Sequence, residues 1–339
     1  MPHLLEVTDL ATSFQTEAGK VHAVNGISYV IDPGGSIGIV GESGSGKTVS
    51  VLSIMGMLPT PPARIESGTA LFNGRNLLDL SSEERRKIRG RQIAMVFQDP
   101  MTCLDPVLTI GQQMSEGMQE HFGISRKEAD DRAVELLSRV SIPNARDRLK
   151  DYPHQFSGGQ RQRVDIAMAL SCNPTLLIAD EPTTALDVTV QAQIVEMVLR
   201  LQEQLGMAIL WITHDLGILA GLVQQIMVMY SGLIIEKAPT IALYEHTAHP
   251  YTLGLLDSLP SMDLDSHKKL IPIEGRPPNL LAAPTYCPFA PRCRWAKELC
   301  WLSVPPLMEV EPGHTSACWR SKDILDISSQ KLLNNGYNA

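Results

Sequence analysis

The 339-residue chain has no run of about 18 uninterrupted apolar residues, the length that a bilayer-crossing helix needs. Its most apolar stretches, Leu176 to Ala179 and Ile209 to Ile212, are strand-sized, so the chain is not expected to span a membrane by itself. The first twenty residues lack a basic segment followed by an apolar one and carry Glu6, Asp9 and Glu17 instead, so no export signal is expected. Positive charge is also short. Lys and Arg number 29 against 37 Asp and Glu, a net charge of -8, and a field of that sign repels phosphate backbones, which argues against a nucleic-acid partner. Cysteine is scarce outside one segment: Cys103 and Cys172 stand apart, and the other four of the six crowd into residues 287–318. In a chain without an export signal such crowding predicts a metal site rather than disulfides.

What is present suffices for a globular protein. Apolar residues make up 44% and charged residues 19%, too apolar for disorder, and the length predicts one large domain with a smaller appendage. Leu4 to Val7, Ala23 to Ile31 and Ser36 to Val40 read as strands separated by glycine and proline turns, and Thr48 to Leu58 as a helix stopped by Pro59. Ser81 to Gly90 reads as a charged helix, and Arg91 to Gln98 as a strand. Helical spacing prevails from Ile110 to Leu170, most clearly over Glu128 to Val140. Leu176 to Ala179 and Ala208 to Thr213 are continuous apolar runs flanking a helical stretch, Val190 to Leu205, a pattern of parallel strands buried on both faces. The core is therefore expected to be α/β. From Pro260 to Pro312 no period is visible, and Ser321 to Ala339, lacking a cap, reads as a frayed end.

Three motifs carry chemistry. Gly41-Glu42-Ser43-Gly44-Ser45-Gly46-Lys47-Thr48 is a complete phosphate loop between a predicted strand and a predicted helix. Its glycines let backbone N–H groups converge on a phosphate at the helix N-terminus, Lys47 reaches the β and γ oxygens, and Thr48 offers a hydroxyl to Mg²⁺. Kinases, GTPases and many ATPases share such a loop. The apolar strand that ends in Asp180-Glu181 could hold Mg²⁺ through Asp180 and orient a water through Glu181, although alone it reads equally as a solvated turn. Finally, Ser157-Gly158-Gly159-Gln160 precedes a helix, with Ser157 as a good N-cap and two glycines exposing amides to a second anion.

Ser-Gly-Gly-Gln between a phosphate loop and an Asp-Glu strand resembles the signature of the ABC ATPases, over residues 4 to about 235. The resemblance implies a RecA-like core with an antiparallel β portion and a helical subdomain at about 98–172. It also implies ATP and Mg²⁺ as ligands and a head-to-tail dimer in which Ser157 and its neighbours face the partner's ATP. Phe14 then matches the adenine-stacking aromatic, Gln98 the Q-loop residue that contacts Mg²⁺, Asp187 the D-loop and His214 the switch histidine.

Three further segments, His249-Pro250-Tyr251-Thr252 leading to Leu259-Pro260, Glu274 to Leu280, and Cys287-Pro288-Phe289-Ala290-Pro291-Arg292-Cys293, resemble the ATPases of dipeptide and oligopeptide transporters, D type. Gln160 is more familiar in their F-type sisters. The implied organisation is a nucleotide-binding domain over 1–250, a Cys-rich module over 251–325 and a tail over 326–339. The implied partners are a second ATPase subunit (an F-type sister, or a second copy), two membrane-spanning permeases and an extracytoplasmic solute-binding protein, with the chain held at the cytoplasmic face of the inner membrane. A soluble ABC ATPase that remodels DNA or ribosomes is the rival, but no sustained heptads separate the phosphate loop from the signature. Cys287, Cys293, Cys300 and Cys318, spaced C-x5-C-x6-C-x17-C, suit zinc or iron–sulfur chemistry, or stay unligated. The gaps fit zinc poorly, and the resemblance points to a four-iron four-sulfur cluster.

Overall fold

The computed structural model describes residues 2–184, 186–259 and 272–334. Strands β1 (Leu5–Thr16), β2 (Gly19–Ile31) and β3 (Ser36–Val40) lead to helix α1 (Lys47–Met55); β4 (Ala63–Phe72) and β5 (Arg75–Asn76) precede α2 (Ser82–Ile88) and β6 (Ile93–Val96). Helices α3 (Pro100–Cys103), α4 (Ile110–Phe122), α5 (Arg126–Arg139), α6 (Ala145–Arg148) and α7 (Gly158–Ala169) follow, then β7 (Leu176–Asp180), α8 (Val188–Leu205), β8 (Ala208–Thr213) and α9 (Leu216–Leu219). The chain continues through β9 (Gln225–Tyr230), β10 (Leu233–Pro239), α10 (Thr240–Glu245), α11 (Pro250–Asp257), β11 (Met308–Glu311), β12 (His314–Ser316) and α12 (Ser321–Asn334).

Two compact units result, one of Met1–His3, Ile31–Ser36 and Asp79–Ile212, the other of Leu4–Val30, Ile37–Leu78 and Thr213–Ala339. In the first, β6, β7 and β8 pair in parallel. Every residue of β7 and β8 is buried, including Trp211, which is why their sequences read as unbroken apolar runs. The predicted helical stretch resolves into α4 to α7. Thr109 and Gln112 close a capping box on α4, and Gly123, at φ 65°, ends it. Ile110, Met114 and Met118 of α4, and Ala129, Ala133 and Leu137 of α5, are the buried stripes at helical spacing. The α/β core is as expected, and helices α4 to α7 fill the stretch between β6 and β7.

The second unit holds a four-stranded antiparallel sheet ordered β2-β1-β4-β5, the anticipated antiparallel portion. It also holds β3 parallel to β9, with β10, β12 and β11 added antiparallel beyond β9. Two expectations need correction here. Helix α1 stops at Met55 rather than Leu58, because Gly56 turns left-handed at φ 61° and closes the last carbonyls. The C-terminal stretch is not frayed from Ser321: α12 runs to Asn334, with Ile324 fully buried and the Ser328 hydroxyl donating to the Thr247 carbonyl at 3.1 Å. Pro260 of the transporter-like match, and the last five residues of the expected tail, lie outside the described residues.

Candidate nucleotide-binding site

The phosphate loop joins β3 to α1. Gly46 occupies the N-cap at φ 101° and brings no capping side chain, so the first amides of α1 receive no side-chain cap from it. Glycine is required at two places by crowding. A Cβ on Gly41 would lie 2.2 Å from the Met229 carbonyl oxygen, and one on Gly46 would lie 2.4 Å from that of Ala23. Gly44, at φ 79°, instead faces open space, and Ser43, Gly44 and Thr48 are exposed. Lys47 is buried, and its ammonium donates to the carbonyls of Gly41 at 2.8 Å and Glu42 at 3.1 Å, curling the loop round itself. The Ser45 hydroxyl is buried within the loop without a partner.

Asp180 ends β7 and is buried. Glu181, the next residue, sits at φ 48°, a conformation that costs a non-glycine residue free energy and gathers at functional sites. Its N–H donates to the Ile212 carbonyl at 2.9 Å, and its Oε2 accepts the Thr184 hydroxyl at 2.9 Å and the Gln98 amide at 3.3 Å. Gln98 and Glu181 therefore meet. Thr184 was not singled out by the sequence, since a threonine in a turn carries no signal of its own.

At the signature, the Ser157 hydroxyl accepts the Gln160 N–H at 3.3 Å and the Gln160 side chain accepts the Ser157 N–H at 3.1 Å, a closed capping box. A Cβ on Gly159 would come within 2.7 Å of Val190, so only glycine lets α7 approach the start of α8. Ser157 and Gly158 are exposed. Asp187 N-caps α8 by accepting the Val190 N–H at 3.0 Å, while Ala185 lies outside the described residues. Phe14 is half-buried on β1 opposite Ala63, and His214 is exposed immediately after β8. Deeper in α7, burial raises the Asp165 carboxyl to about 7 and leaves its Oδ2 without a partner.

The four C-terminal cysteines converge on one small cavity with Phe289, Trp295 and Trp319. Each sulfur faces backbone N–H groups: Cys287 those of Phe289 and Ala290, Cys293 that of Trp295, Cys300 that of Lys297 at 3.5 Å and Cys318 that of Arg320 at 3.3 Å. Burial pushes the Cys287 thiol up to about 11 and that of Cys318 to about 12, and also raises Cys293. Among the described residues, no three His, Cys, Asp or Glu side chains are placed to hold a single metal ion. The four thiols thus line one cavity but form no closed one-ion site among the described residues.

The ABC transporter family matches residues 24–184, and the oligopeptide/dipeptide transporter C-terminal region matches residues 235–300. The oligopeptide transport ATP-binding protein OppD of Salmonella typhimurium is 48% identical over 317 residues, 94% of this chain and 93% of that protein. The dipeptide transport ATP-binding protein DppD of Lactococcus lactis is 48% identical over 317 residues, 93% of this chain and 90% of that protein. A solved dimeric ATP-binding cassette, in a post-hydrolysis state with ADP and Pi, superposes with a TM-score of 0.63 at 26% identity, over 70% of this chain and 98% of the cassette. The chain belongs to the ABC-type ATP-binding proteins of the oligopeptide/dipeptide transporter family.

Proposed function

We propose that the chain is the ATP-hydrolysing subunit of an ABC importer, energising entry of dipeptides, oligopeptides or a related small solute through membrane-spanning partners. The observation that carries this is the Gln98–Glu181 contact on a left-handed Glu181 backbone, in a chain whose phosphate loop enters its helix through a left-handed glycine N-cap. Lys47 and the loop amides bind the β and γ phosphates and offset the charge that develops on the transferring phosphoryl group. Glu181 orients the attacking water, and Gln98 and Thr184 fix its carboxylate. His214 senses the γ-phosphate, Phe14 stacks on adenine, and Ser157, Gly158, Gly159, Gln160 and Asp187 serve the ATP of a head-to-tail partner. Thr48, Asp180 and Gln98 would hold Mg²⁺, which when bound neutralises charge on the β and γ oxygens. The partners are an F-type sister ATPase, or a second copy, and two permeases that keep the chain at the cytoplasmic face of the inner membrane, served by a solute-binding protein outside.

Cys287, Cys293, Cys300 and Cys318 would hold a four-iron four-sulfur cluster with a structural role. Each cysteine of such a cluster binds a different iron, so four thiols around one cavity, each facing backbone N–H groups, suit it better than zinc. Anaerobically purified protein should be brown, absorb broadly near 400 nm and contain about four irons per chain. One zinc per colourless chain, or no metal, overturns that assignment. For the main reading, the chain reconstituted in vesicles with its permeases and binding protein should take up labelled dipeptide only with ATP. Turnover indifferent to a peptide-loaded binding protein would favour a soluble ABC ATPase.

A further inference from the structure

The phosphate loop and the cysteine segment are joined by one side chain. Arg292 lies two residues before Arg294 and next to Cys293, and its guanidinium grips the Glu42 carboxylate fork to fork: Nη1 to Oε2 at 2.7 Å and Nη2 to Oε1 at 2.9 Å. Its other donors are also used. Nε donates to the Glu274 carbonyl at 3.0 Å, Nη2 to that of Ile273 at 3.3 Å and Nη1 to the Tyr230 hydroxyl at 3.3 Å, so all five N–H groups have acceptors. The side chain is only 5% exposed, packed near the rings of Tyr230 and Phe289. Glu42 is held from a second direction, because its N–H donates to the Tyr251 hydroxyl at 2.9 Å.

Glu42 is the second residue of the loop, and its carbonyl accepts both the Lys47 ammonium at 3.1 Å and the Ser45 N–H at 3.2 Å. Whatever fixes Glu42 fixes the acceptor that positions Lys47. On the other side, Arg292 closes a single turn, Ala290–Arg292, which Cys293 follows directly and Cys287 precedes by three positions. The Cys293 N–H donates to the Ala290 carbonyl at 3.2 Å, and Cys287 faces the N–H groups that open the turn. We infer that Arg292 is a positioning residue of the nucleotide site, through which the cysteine segment sets the shape of the phosphate loop and hence its affinity for ATP. A bidentate guanidinium–carboxylate pair whose cation is buried and whose carboxylate is half-buried is a geometry in which such a link is stronger than a rim contact. The inference rests on the reading of the loop as an ATP site.

The test measures MgATP affinity of the full chain with a fluorescent ATP analogue, and the ATP dependence of turnover in the assembled transporter. Arg292→Ala and Glu42→Gln should each weaken binding about tenfold, as for loss of one charge-assisted bidentate pair. The KM for ATP should rise in step while kcat stays within about twofold. The double variant should bind no more weakly than the worse single one, since each acts through the other. Arg292→Lys, which keeps the charge and spares the fold, should lose affinity to a smaller degree. Cys293→Ser should weaken ATP binding in the parent but not further in the Arg292→Ala background. Variants that melt earlier yet bind ATP as the parent does would make the clamp merely structural and overturn the inference, as would additive losses in the double variant. A parent chain that binds no ATP would instead overturn the ATP reading itself.

Discussion

Helices α1 and α7 both begin with glycine-rich segments, and the two N-termini are finished in opposite ways. At α1 the N-cap is Gly46 and offers no side chain, while at α7 Ser157 and Gln160 satisfy each other's backbone in a capping box. A helix N-terminus carries partial positive charge and unfilled donors. The first helix is entered without a side-chain cap from its N-cap residue, and the second fills part of that demand itself. The glycine N-cap suits α1 to the close backbone approach of an anion. The signature end is closed on itself by side chains, which leaves Ser157 and Gly158 exposed at a defined helix start.

That division is broken most severely by removing chemistry without touching either helix end. Glu181→Gln keeps the shape and the acceptor for Thr184 and removes the charge that orients water, so kcat should fall by about 10²–10⁴-fold. ATP binding should persist. Steady-state hydrolysis and equilibrium nucleotide binding check the split, and near-parental turnover would take Glu181 out of its role.

Lys47→Ala attacks the phosphate loop directly. The ammonium that now bridges the Gly41 and Glu42 carbonyls disappears, and with it a charged contact worth about 1.5–3 kcal/mol. ATP affinity should drop at least about tenfold and hydrolysis with it, measured by filter binding. Undiminished affinity would mean that the loop is not where the phosphates sit.

These residues were legible because their signals are local. The phosphate loop is contiguous, the strands β3, β7 and β8 are buried throughout and so read as apolar runs, and α5 shows its stripe at helical spacing. What escaped depends on distant partners. Strand β12 has three residues and owes its place to β10, where buried His314 meets Glu236 at 2.8 Å across the pair. The left-handed backbone of Glu181 has no sequence mark, since Glu is not a residue that favours it. Glu42 and Arg292 stand 250 residues apart, a separation that no motif spacing encodes.

The capped helix α7 can be sharpened further, for it is stabilised at its end and burdened in its interior. Asp165 and Gln162 are buried there, with Oδ2 of the first and Nε2 of the second lacking partners. Burial raises the Asp165 pKa from 3.8 to about 7. Between those values the folded chain binds more protons at this group than the unfolded chain, so stability falls as pH rises from about 4 to 7, and the whole cost is present above 7. Asp165→Asn removes the charge but adds an N–H that needs an acceptor, so the gain should be roughly 2 kcal/mol, about half of the full displacement. Thermal unfolding of parent and variant should therefore differ by several degrees at pH 8 and by little at pH 4. Other titrating groups cancel in the difference. A gap that stays constant across that range would show that Asp165 does not become neutral on folding and that its burial is relieved by a partner.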